Sequence, residues 1–116
     1  MRNIIFIILS FICIPNAHTS DGPHSVIDIS NNLNEPWGMT FINNKTLLIT
    51  EKTGAIVNVD SLTGDKHEIE HDLDFYYYGQ GGLLDILYHD GYVYVSYSED
   101  RGDGKSSTSI ARGLYD

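Results

Sequence analysis

Gly79-Gln80-Gly81-Gly82 is the stretch of this sequence best suited to touch a ligand. Three glycines in four positions give the backbone conformations closed to other residues, and they leave Gln80 as the one functional side chain on the loop. A carboxamide donates and accepts at once, which suits a sugar hydroxyl or a cofactor carbonyl. The competing reading of the same residues is an ordinary tight turn. Asp85, just beyond, reads as a tether accepting backbone N–H bonds, and no second carboxylate stands where it could complete an acid/base pair with it.

The other chemistry-bearing residues are less promising. Tyr76-Tyr77-Tyr78 could stack on sugar faces, but three consecutive rings cannot all point one way. Glu99-Asp100-Arg101-Gly102-Asp103-Gly104 has the acidic look of a calcium loop. Counted from Glu99, however, the third and twelfth positions hold Arg101 and Ile110, so the EF-hand pattern is absent and a solvated turn is expected. His24, His67, His71 and His89 lack metal-ligand spacing, so no metal ligands are assigned. Asn44-Lys45-Thr46 fits the glycosylation acceptor pattern. Pro36-Trp37-Gly38 reads as a core anchor: a large apolar ring beside a glycine that admits close backbone approach.

These residues must be positioned by strands. Short β-type runs alternate with turn signals, and no helical period lasts beyond two turns. The expected strands are Val26 to Ile29, Gly38 to Ile42, Thr46 to Thr50, Ala55 to Val59, a polar edge strand Lys66 to Glu70, Leu83 to Tyr88, Tyr92 to Tyr97 and one from Ser107 to Leu114. Asp90-Gly91 supplies the positive φ that a tight hairpin needs. Such spacing marks a sandwich, barrel or propeller. Four strands in roughly 40–45 residues make one propeller blade, so residues 25–116 hold about two blades of a partial β-propeller. A complete small β-sandwich is the competing fold.

The first residues bear on compartment. Met1-Arg2-Asn3 and the apolar run Ile4 to Ile14, closed by Pro15-Asn16-Ala17, form a secretory signal over residues 1–17, followed by a polar leader over 18–24. The apolar run is about half the ~20 residues that span a bilayer, so no membrane insertion is expected once the signal is cleaved. Cys13 belongs to that run, and removing it leaves no cysteine for a disulfide. The whole chain carries 7 Lys plus Arg against 16 Asp plus Glu, a net charge of −9. Loss of Arg2 makes this 6 − 16 = −10. That sign repels phosphate backbones and excludes nucleic acid as a partner. The expected location is periplasmic or secreted.

Five blocks, in order, resemble the start of the soluble glucose/sorbosone dehydrogenase family. They are Leu33-x-x-Pro36-Trp37-Gly38-Met39-x-Phe41, Leu48-Ile49-Thr50-Glu51-Lys52-x-Gly54, Gly79 to Asp85, Tyr94-x-Ser96-Tyr97-Ser98, and Thr108-x-Ile110-Ala111-Arg112-Gly113. Each is weak alone; the order is specific. The resemblance implies a six-bladed propeller holding pyrroloquinoline quinone (PQQ) and calcium, which oxidises aldoses to lactones and passes electrons to an acceptor. It places Gln80 at the sugar-binding end of the pocket. The family's general-base histidine and cofactor-gripping cations belong to later blades, and neither His71 nor His89 matches them. The expectation is therefore an amino-terminal fragment of a sugar dehydrogenase, inactive alone and holding no cofactor. The alternative is a non-catalytic secreted propeller that only binds. Lys52 departs from the arginine usual in the family. Tyr88-His89-Asp90-Gly91 replaces a longer Pro-Asp-Phe loop.

Overall fold

The computed structural model describes Gly22 and residues 25–116. The expected signal over 1–17 lies outside the described residues, as do Cys13, His24 and, Gly22 apart, the leader over 18–24. Seven strands follow, with no helix among the described residues: β1 (Pro36–Phe41), β2 (Thr46–Glu51), β3 (Ile56–Asp60), β4 (Lys66–Ile69), β5 (Leu83–His89), β6 (Tyr92–Asp100) and β7 (Ser106–Leu114). They form two antiparallel meanders, β1-β2-β3-β4 and β5-β6-β7. β4, the polar strand, is one of the two edges of its sheet, where unpaired backbone is best left beside charge.

The turns follow local chemistry. Asp90 and Gly91 both adopt positive φ, 50° and 79°, as a two-residue hairpin loop of the primed type demands. Asp103 and Gly104 do the same at 54° and 69° between β6 and β7.

Alternation along the strands divides each sheet into two faces. Leu48 and Ile56 of the first sheet meet Leu83, Ile86 and Val95 of the second in a shared core, flanked by Ile69, Leu73, Phe75, Val93 and Tyr97. Burying each such aliphatic side chain contributes about 1.5–3 kcal/mol. Leu47, Ile49, Val57 and Val59 cluster on the opposite face of the first sheet. On β1, Met39 and Phe41 stand opposite Ile49 and Leu47 and are exposed. The second sheet likewise leaves Leu87, Ile110 and Leu114 exposed. Each sheet thus carries apolar side chains beyond those in the shared core, the pattern of radially stacked sheets rather than of a closed two-sheet sandwich.

The sheets touch through β1 and β5, their first strands. Both strands break register where they meet, β1 between Pro36 and Met39 and β5 between Leu83 and Ile86. A hydroxyl from the neighbouring strand fills each break. Thr50 of β2 accepts from the Gly38 N–H at 3.0 Å, and Ser96 of β6 accepts from the Asp85 N–H at 3.0 Å. The same device at the second strand of each sheet marks them as repeats of one unit.

Two expectations fail. Val26 to Ile29 forms no strand, and Val26 is 95% exposed. Apolar alternation permits pairing but supplies no partner, and no described strand offers this segment a ladder. Trp37 is 51% exposed and lies outside the core between the sheets, because Gly38, not Trp37, faces β5.

Candidate functional site

The starts of β1 and β5 and the β2–β3 turn come together at one end of the sheets, where Glu35, Lys52 and the loop 76–82 converge. The loop is held at its base by the Tyr76 N–H donating to Ser98 O at 2.7 Å and the Ser98 N–H donating to Gly82 O at 2.9 Å. Between these anchors the chain turns tightly, with the Gly81 N–H donating to Tyr78 O at 2.8 Å. Gly79 takes the first central position at φ 58°. Gln80, the second, is exposed at the tip. Its carboxamide is therefore presented to solvent by a constrained turn.

Gly82 is required by contact as well as conformation. Its φ is 143°, and a β-carbon there would overlap the Lys52 carbonyl. Around Gly79 nothing lies within 4 Å of an added β-carbon, so its glycine serves the turn conformation alone.

Lys52 organises the surroundings. Its Nζ donates to Gly79 O at 2.8 Å, pairs with the Glu35 carboxylate at 2.9 Å, and sits 5.5 Å from the centre of the Tyr77 ring. Tyr77 in turn donates its hydroxyl to Glu35 at 2.8 Å. The Lys52 ammonium, followed by the Tyr77 hydroxyl, holds the Glu35 carboxyl below the usual carboxylate range. Reciprocally, the Glu35 carboxylate raises Tyr77 above the ordinary tyrosine value. Tyr77 is thus committed to Glu35, whereas Tyr78, two residues from Gln80, is 75% exposed with its ring centroid 6.3 Å from that of Tyr76.

Asp85 does not tether this loop. Its carboxylate accepts the neighbouring Ile86 N–H at 2.9 Å, and its backbone abuts Gly38. The break in register at Asp85 turns it toward β1, so the tethering falls to Lys52 and Ser98. His71 is structural: Nδ1 accepts from the Leu73 N–H at 3.2 Å and Nε2 lies 2.6 Å from Gly54 O, an arrangement that a ring protonated on Nε2 satisfies. His89 ends β5 at the far end from Gln80. In the acidic turn, Glu99 pairs with Arg101 at 2.8 Å and Asp100 accepts from the Gly102 N–H at 2.7 Å. Among the described residues no three His, Cys, Asp or Glu side chains gather as metal ligands.

The described residues do not fit PQQ or calcium by themselves. A tricarboxylate needs several free cations. Lys52, the cation nearest the loop, is neutralised by Glu35, and Arg101 by Glu99. What they build is a clamped, solvent-facing turn with the Gln80 carboxamide at its tip. Glu35, Lys52 and Tyr77 were not legible as a group from sequence. The one signal was Lys52 itself, standing out against the arginine of the resembling family.

Two stacked, repeated antiparallel sheets joined through their first strands, with a glycine-rich loop opening the second, have the arrangement of neighbouring blades in a β-propeller. Residues 33–116 match the family model described as Glucose / Sorbosone dehydrogenase, and the chain belongs to that family. Aldose sugar dehydrogenase YliI of Escherichia coli (strain K12) is 28% identical over 97% of this chain and 32% of its own length. A crystal structure of glucose dehydrogenase superposes with TM-score 0.72 at 30% identity, covering 78% of this chain and 28% of that one. The PQQ-bound aldose sugar dehydrogenase of Streptomyces coelicolor gives 0.67 at 31% identity, over 76% and 27%. The chain thus spans about a third or less of the length of these relatives.

Proposed function

We propose that this chain supplies the first blades of a six-bladed, PQQ-dependent sugar dehydrogenase that oxidises aldoses to lactones outside the cytoplasm. Residues 1–17 direct export, 18–24 form a leader, and 25–116 make the partial propeller. Among the described residues no helix is long and apolar enough to cross a membrane. The observation that carries the reading is the exposure of Gln80 at the tip of a clamped glycine turn, in a chain of this family.

Gln80 donates to one sugar hydroxyl and accepts from another, fixing the orientation of the ring, while Tyr78 offers it an apolar face. Oxidation at the anomeric carbon removes two hydrogens. PQQ and calcium, which the described residues do not hold by themselves, would supply the hydride acceptor in the complete enzyme. The hydroxyl proton would pass to a general base that the described residues do not supply. The residues of this chain alone bind one side of the sugar and do not turn it over.

Dye-coupled oxidation of aldoses by the full-length protein, with and without PQQ and calcium, is the test. Gln80→Ala is expected to lower kcat/KM about tenfold, the scale of one or two lost hydrogen bonds. Absence of PQQ-dependent oxidation of every aldose tried would remove the enzymatic reading. Sugar binding that persists without oxidation would assign the protein to non-catalytic binding instead.

A further inference from the structure

We infer that Lys52 is the positioning residue for Gln80, clamping both ends of the segment that carries it. The inference rests on the sugar-binding reading of Gln80, but its geometry stands apart from that reading. The side-chain ammonium binds the carbonyl of Gly79, immediately before Gln80, at 2.8 Å. The main-chain carbonyl of the same residue accepts the Leu83 N–H at 3.3 Å, where the loop enters β5. Gln80, Gly81 and Gly82 are strung between these two points, and Gly82 is pressed so closely on Lys52 that only glycine fits.

Lys52 is itself held rigidly. Its N–H donates to Glu35 O at 2.9 Å, its ammonium pairs with the Glu35 carboxylate, and its side chain is 14% exposed beneath the Tyr77 ring. A lysine so confined has already given up the rotamer freedom that makes exposed ion pairs weak. Three partners converge on one ammonium, so its three protons point in fixed directions, and one of them fixes Gly79. Glu35 and Tyr77 act through Lys52, not on the loop.

The test combines amide exchange with kinetics on the full-length protein. In Lys52→Met, amide exchange at Gly81, in the turn that the ammonium holds, is expected to accelerate tenfold or more, about 1.4 kcal/mol of local opening. Leu83 keeps its main-chain acceptor and changes less. Amides of β2 and β3 are expected to stay unchanged, and Lys52→Arg to restore most of the protection. With an aldose as substrate, Lys52→Met should lower kcat/KM in the wild-type background and by less than about twofold in a Gln80→Ala background, because coupled residues are not additive. Unchanged exchange at Gly81 overturns the clamp whether or not the protein oxidises sugars. An equal kinetic loss in both backgrounds overturns positioning through Gln80. Should Lys52→Met not fold, Glu35→Gln combined with Tyr77→Phe must reproduce the local exchange pattern, and its failure to do so overturns the inference equally. An inactive wild type with the exchange pattern intact removes the proposed reaction and leaves the clamp standing.

Discussion

A β-carbon added to Gly38 would stand 2.8 Å from the α-carbon of Asp85, so the first strands of the two sheets meet backbone to backbone at these two residues. The added atom would also lie 2.7 Å from Asp85 Oδ1 and 3.1 Å from the Ile86 nitrogen. Two of these three neighbours are main chain, which cannot swing aside.

Gly38→Ala is therefore expected to destabilise the fold by about 1–3 kcal/mol through overpacking. Gly113→Ala is the control. It also sits in a strand, but nothing lies within 4 Å of its added β-carbon, and its effect should stay within about 0.5 kcal/mol. Urea midpoints of the two variants decide the matter, and equal midpoints would refute the close contact.

Thr50 is fully buried and uses its hydroxyl three ways, accepting from the Gly38 N–H and facing the carbonyls of Gly38 and Leu84. It joins β2 to its own first strand and to that of the next sheet. Thr50→Val keeps the shape and leaves the Gly38 N–H without a partner, so a loss of about 1–3 kcal/mol is expected. Thr50→Ser should lose less than Thr50→Val in the same denaturation series.

The network around Glu35 sets a pH window for the loop. Its folded-state pKa lies below the ordinary 4.5, so its contribution is complete above that value and disappears as pH falls through the lower, folded value. Tyr77 is raised above 10.0, so its contribution is complete below 10.0 and disappears as pH climbs through the higher value. Loop exchange rates, corrected for intrinsic chemistry, should rise only at these two extremes. Glu35→Gln should abolish the acid step, and an acid step that survives this substitution would locate the titrating group elsewhere.

Gly79 and Gly82 share a loop but not a constraint. Asn tolerates the left-handed φ of 58° at residue 79, where space is open, so Gly79→Asn should fold with near-native stability. At residue 82 the φ of 143° and the adjoining Lys52 carbonyl make Gly82→Ala costly, on the order of 1–3 kcal/mol, and should displace the start of β5. Thermal melts of the pair, read against the wild type, test the distinction.

Much of this was legible in the residues themselves, because the signals are local. A period of two marked the strands from β1 to β7, Asp90-Gly91 and Asp103-Gly104 carried the conformations of their own turns, and the polar run from Lys66 announced an edge. Three glycines around Gln80 declared a constrained loop with one functional side chain, whatever the rest of the chain did. Local signals cannot say which surfaces meet. Val26 to Ile29 alternates as well as β3 does, yet pairing requires a second strand, and the described sheets offer it none. Asp85 read as a loop tether until the break in β5 turned it onto Gly38. The pairing of Glu35, Lys52 and Tyr77 joins residues far apart in sequence, whose convergence depends on the two sheets stacking through their first strands. Side-chain chemistry is written in the sequence; which distant group each side chain answers to is decided by packing.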